Sequence, residues 1–177
     1  GKTNNWSGTY MVRTNILFDF YPDRNIYPSR FGQHMQIMLP VAYKRQFGFI
    51  DEPLMVYVIH ENSHSQASTP DEQFQREEDN QLGYRDIYLH MLDSILKDPN
   101  EHMKYLKAFE ASFHRCGLLR AIKYNKSDLV KNHYKELCLT GYANLNDKIQ
   151  YYSYRKNPLV YFYKVLRRGE IVLKQRR

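Results

Sequence analysis

Residues 69–96 read TPDEQFQREEDNQLGYRDIYLHMLDSIL, and this stretch decides the fold class. Thr69 can cap a helix, Pro70 suits its first position, and Glu72 sits where a capping-box acid returns to the cap. Tyr84, Tyr88, Met91, Leu92 and Ile95 then recur at the spacing of one helical stripe. Asp98-Pro99-Asn100-Glu101 repeats the start signal and leads into Met103, Leu106, Phe109, Phe113 and Cys116. A third start at Ser127-Asp128 leads into Val130, Tyr134, Leu137 and Cys138, with Gly141 as its stop. Three amphipathic helices in series predict a helical body over 67–157. Both cysteines lie on the stripes, which predicts buried thiols in a reducing compartment.

The segments before this body are mixed. Residues 32–47 (GQHMQIMLPVAYKRQF) place Met35, Met38, Leu39 and Ala42 at helical spacing, with Pro40 inside and Gly48 as the expected stop. Residues 49–59 (FIDEPLMVYVI) are rich in β-branched and aromatic types and predict a strand broken at Pro53. A polar loop follows. The expected fold is therefore mainly α with a short β segment, an α+β chain.

The chain has 177 residues, with 42% hydrophobic and 25% charged, so it can build an ordinary core and is no disordered tail. Two cysteines exclude a multi-disulfide scaffold and a four-cysteine zinc site. No apolar run approaches the ~18 residues of a membrane span. Neither G-x-x-x-x-G-K-[ST] nor G-x-G-x-x-G occurs, so those phosphate-cradling loops are absent. The formal charge of +7 is confined to one end. Residues 154–177 carry eight basic side chains against Glu170, leaving residues 1–153 with 18 basic and 18 acidic groups. A neutral body with a basic tail does not read as a nucleic-acid binder. In the tail, Leu159, Phe162, Tyr163 and Leu166 share one side, with Lys164, Arg167 and Arg168 towards the other. Such a segment, 158–177, suits an anionic membrane surface, or docks its apolar side on the body and leaves its charges solvated.

His60-Glu61-Asn62-Ser63-His64 matches the H-E-x-x-H pattern of zinc proteases. That chemistry needs both histidines on one helical face, with a third ligand beyond them. Here the motif sits among Asn, Ser, Gln and Thr, which favour a loop, so a metalloprotease remains the remote alternative. A different pattern explains more of the region. Trp6-Ser7-Gly8-Thr9-Tyr10-Met11-Val12-Arg13 is followed by Tyr27-Pro28-Ser29-Arg30-Phe31-Gly32-Gln33 opening a helix. Then come Phe49-Ile50-Asp51-Glu52-Pro53-Leu54 and Tyr57-Val58-Ile59-His60-Glu61-Asn62-Ser63-His64-Ser65. In order and spacing these pieces resemble the C-terminal, acceptor-side part of the family 2 glycosyltransferases with the A-type fold, over residues 6–66.

The resemblance assigns residues 1–66 to an acceptor-side segment, while the helix starts and the charge pattern give a helical domain (67–157) and a basic amphipathic tail (158–177). It implies transfer of a sugar from a nucleotide diphosphate donor to a saccharide or lipid-linked acceptor, at the cytoplasmic side of a membrane. Arg30, His60 and Ser63 would lie on the substrate side. The family's Glu-Asp pair, whose aspartate is the general base, corresponds here to Gln33 and His34. Glutamine cannot take a proton near neutral pH, whereas a neutral imidazole can, so His34 is the candidate base. The alternative is a polar histidine at a helix terminus. A divalent metal, Mg or Mn, is implied for the complete enzyme and none for this segment, because no Asp-x-Asp occurs among the ten aspartates. Gly1 falls where the family is in mid-protein, so a donor-binding half is expected upstream and the isolated chain is expected to fold without turning over substrate. The competing reading is a non-catalytic helical interaction module.

Overall fold

The computed structural model describes residues 10–46, 48, 50, 52, 56 and 69–155. Among them are six helices and no strand. These are α1 (Thr14–Phe20), α2 (Gln33–Lys44), α3 (Pro70–Ile95), α4 (Pro99–Lys123), α5 (Ser127–Leu139) and α6 (Leu145–Tyr154). The mainly helical expectation holds. The strand expected over 49–59, the 66/67 boundary and the 158–177 tail fall largely or wholly outside the described residues. No described helix is long and apolar enough to cross a membrane. The chain divides after His102 into two compact units, 1–102 and 103–177.

In the first unit α1 packs on α2 and α2 on α3. The capping box of α3 forms as its sequence predicts: Glu72 N–H donates to Thr69 Oγ1 and Thr69 N–H to Glu72 Oε2, both at 3.2 Å. Ile87, Met91 and Leu92 of α3 are buried, together with Val41 of α2. Each fully buried side chain of this size contributes about 1.5–3 kcal/mol. Helix α2 ends at Lys44, because Arg45 turns extended at φ −134° and ψ 159°, so Gly48 is not its stop.

Pro40 stays inside α2 without breaking it. A proline has no N–H to give to the carbonyl four residues earlier, here that of Gln36. The Tyr21 hydroxyl donates to that oxygen instead, at 2.7 Å. Gln36 is itself fully buried, and its side-chain amide faces the Tyr27 backbone. Tyr27 N–H donates to Oε1 and Nε2 donates to Tyr27 C=O, each at 2.8 Å. One side chain thus satisfies both polar groups of a residue in a non-helical segment.

In the second unit Ala111, Leu118 and Ala121 of α4 meet Val130 and Leu137 of α5 in a buried cluster. Asn125 ends α4 in the left-handed region at φ +56°. Its N–H reaches Ile122 C=O, and Lys126 N–H reaches Ala121 C=O at 2.8 Å, the paired bonds of a Schellman ending. The chain then re-enters a helix at once. Ser127 is therefore the first residue of α5 and not its cap, which is Lys126 with no side-chain bond. Gly141, at φ +78°, follows the end of α5 as expected.

Helix α6 carries a capping box between Asn144 and Asp147. Asp147 is 2% exposed and also takes Arg115 in a two-pronged ion pair, at 2.8 and 2.9 Å. The expected stripes need one correction. Cys116 and Cys138 are both exposed, and Met103 is 48% exposed. Phe113 of the expected stripe is buried, but the rest of the face that α4 buries runs through Ala111, Gly117, Leu118 and Ala121, beside that line.

Candidate functional site

Of the residues assigned by sequence, Arg30, Gln33 and His34 lie at the start of α2. Gly32 precedes the helix in a left-handed conformation, φ +60°, and a Cβ there would meet Tyr84 Cδ1 at 3.2 Å. Glycine is needed for both reasons. Gln33 and His34 then form the first turn. Gln33 is exposed and its Nε2 donates to Ser29 C=O at 2.9 Å, closing the loop that carries Arg30. Ser29 Oγ accepts from Phe31 N–H at 3.1 Å inside the same loop. Arg30 is exposed beside it.

His34 is half-buried, and its ring meets Tyr84 edge-on with centroids 5.9 Å apart and planes at 69°. The loop is fixed on α3 at two further points. Tyr27 stacks on His90 at 4.2 Å and 25°. Phe31 lies over Gly83, where a Cβ would come within 2.1 Å of the ring. With Gln36 holding Tyr27 from α2, the backbone from Tyr27 to His34 is pinned on both sides. Arg30, Gln33 and His34 thus follow one another along the junction of this loop with α2: a cation, an amide already engaged, and an imidazole. His60 and Ser63 lie outside the described residues, as does the whole H-E-x-x-H stretch.

Among the described residues no group of three or more His, Cys, Asp or Glu side chains could hold a metal ion. With no Asp-x-Asp in the sequence either, the residues in view do not fit the divalent ion that the resemblance implies for the complete enzyme.

One pairing escaped the sequence. His114 of α4 and His133 of α5 approach Nδ1 to Nδ1 at 3.1 Å, with Glu110 at 3.5 Å from His114 Nε2. Nothing in the pattern marks two histidines 19 residues apart on separate helices. No protein-family model matches the chain, and no curated protein or solved structure shows significant similarity to it.

Proposed function

We propose that residues 6–66 form the acceptor-side part of a family 2 glycosyltransferase, working with a donor-binding half that this segment does not contain. The observation that carries the reading is the ordered series of sequence pieces from Trp6 to Ser65. It is supported by the start of α2, which sets His34 in the first turn of the helix after the Tyr27–Gly32 loop. The reaction is a single inverting displacement from a nucleotide diphosphate sugar to a saccharide or lipid-linked hydroxyl. His34 removes the acceptor proton, Arg30 attracts the acceptor or the leaving diphosphate, and Gln33 keeps the Arg30 loop closed. His60 and Ser63 complete the substrate side. The basic tail, 158–177, adds reversible affinity for an anionic membrane surface at the cytoplasmic face.

The complete gene product supplies the test. It should transfer sugar from at least one member of a nucleotide-sugar panel, while the 177-residue chain alone shows no turnover. In the complete protein His34→Ala should lower kcat by about 10²–10⁴-fold with little change in donor KM. Wild-type turnover by that variant would return His34 to a structural role. No turnover of any nucleotide sugar by the complete protein would leave the helical interaction module as the reading.

A further inference from the structure

We propose that His114 and His133 act as a one-proton imidazole pair, making the second helical unit an acid-sensitive latch. His133 is 5% exposed, and its ring lies against the bare backbone of Gly117, where a Cβ would stand 2.4–2.6 Å from three ring atoms. Its Nδ1 faces His114 Nδ1 at 3.1 Å, and Phe113 closes both rings edge-on, with centroids 5.2 and 6.2 Å away.

At that distance one nitrogen must carry the proton and the other the lone pair. With no added charge, suitable tautomers satisfy the contact. With one added proton, His114 is the imidazolium: its Nδ1–H donates to His133, and its Nε2–H points to Glu110 at 3.5 Å. A second proton sets two N–H groups and two cations face to face, with no acceptor between them. Like charges this close oppose each other strongly at a partly buried site, with His133 5% and the His114 side chain 16% exposed. Other charges reach the pair from both helices: Lys107 and Glu110 of α4 and Glu136 of α5 line the groove that His114 borders. Arg115 is held away by Asp147 of α6.

An unfolded chain protonates each imidazole near pH ~6.5. The unfolded pair therefore binds two protons in mild acid and the native pair one. The unfolded state binds more protons, so stability falls as pH falls. It is fully present above about pH 6.5 and declines roughly tenfold in the folding constant per pH unit below it. In acid the hold of α4 on α5 weakens by that factor, against the buried cluster that joins them. This device does not depend on the glycosyltransferase reading.

The experiment uses the full chain. Denaturant unfolding is followed between about pH 7 and pH 5 in the wild type and in one variant. His133→Asn removes the buried member and leaves His114 free to keep its proton beside Glu110, so the difference in slope between the two proteins should equal about one proton. The other histidines are common to both and cancel. Imidazole resonances of the wild type provide a second measurement should that variant not fold. They should show one proton taken up by the native pair, with the second entering only as α4 and α5 amides lose protection. Equal slopes in the two proteins, or two native imidazolium rings at about pH 5, would overturn the proposal.

Discussion

The hydroxyl of Tyr21 takes the place of a missing helical amide, donating to Gln36 C=O at 2.7 Å where Pro40 has no N–H to offer. Removing it leaves a buried carbonyl without this donor. Tyr21→Phe should therefore cost about 1–3 kcal/mol. In a Pro40→Ala background the restored Ala N–H can serve the same oxygen, and the cost should shrink. A urea-denaturation cycle over the two single variants and the double variant measures the coupling. Additive effects would show that the hydroxyl does not compensate the proline.

Gly83 is helical yet should not tolerate alanine. Alanine is favoured over glycine in a helix interior by up to about 1 kcal/mol. The added Cβ would stand 2.1 Å from Phe31 Cδ2 and 2.4 Å from Cγ, so the ring must leave its seat on α3. Overpacking of this kind costs about 1–3 kcal/mol, and we expect it to outweigh the propensity gain. Gly83→Ala should lower the denaturation midpoint; a raised midpoint would mean the loop yields freely.

These two sites show what was legible in the sequence. Thr69, Pro70 and Glu72 announce α3 because capping is local chemistry, decided within four residues. Helix α6 is announced too, by Asn144 and Asp147, but an Asn/Asp pair departs from the commoner Ser/Thr with Glu/Gln and is easily read as loop. The buried face of α4 was not legible. The expected line through Met103, Phe109, Phe113 and Cys116 is buried only at Phe113, whereas the face that meets α5 sets Leu118 among the small residues Ala111, Gly117 and Ala121. Small residues let helices approach closely and carry little hydrophobic signal. At the candidate site, Arg30, Gln33 and His34 are neighbours in sequence and could be read directly. Tyr84 and His90, which meet His34 and Tyr27, come from a helix some fifty residues later, and only the fold brings them there.

Asp147 joins two devices, the capping box of α6 and the ion pair with Arg115. Its side chain is 2% exposed and that of Arg115 is 32% exposed. Breaking a buried pair by removing one partner costs about 3–5 kcal/mol. Because the guanidinium keeps partial contact with water, Asp147→Ala should fall near the lower end, about 3 kcal/mol. Amide exchange in α6 should quicken more than in α5. A loss below about 1 kcal/mol would reduce the pair to a surface contact.

Two tyrosines should ionise late. Burial raises the pKa of Tyr21 above the ordinary value of 10.0. Burial, then a hydrogen bond with Cys138, raises that of Tyr134, which stacks on Tyr151 at 4.0 Å. The native state holds these protons after the unfolded state has released them. Their contribution to stability is thus complete below about pH 10 and is lost as pH rises beyond it. Phenolate absorbance should show a late fraction among the 16 tyrosines, reduced in Tyr134→Phe. A single ionisation step at the ordinary position would contradict this.

The contact of His133 with Gly117 has a consequence for inheritance. A helix that receives an imidazole on its bare backbone has surrendered the freedom of both positions at once. Any larger residue at 117 needs a smaller one at 133, and a smaller residue at 133 opens a hole that only a side chain at 117 can fill. The two sites form one unit of variation, and drift at either is blocked until its partner moves. In descendants of this chain, 117 and 133 should change as a pair or not at all.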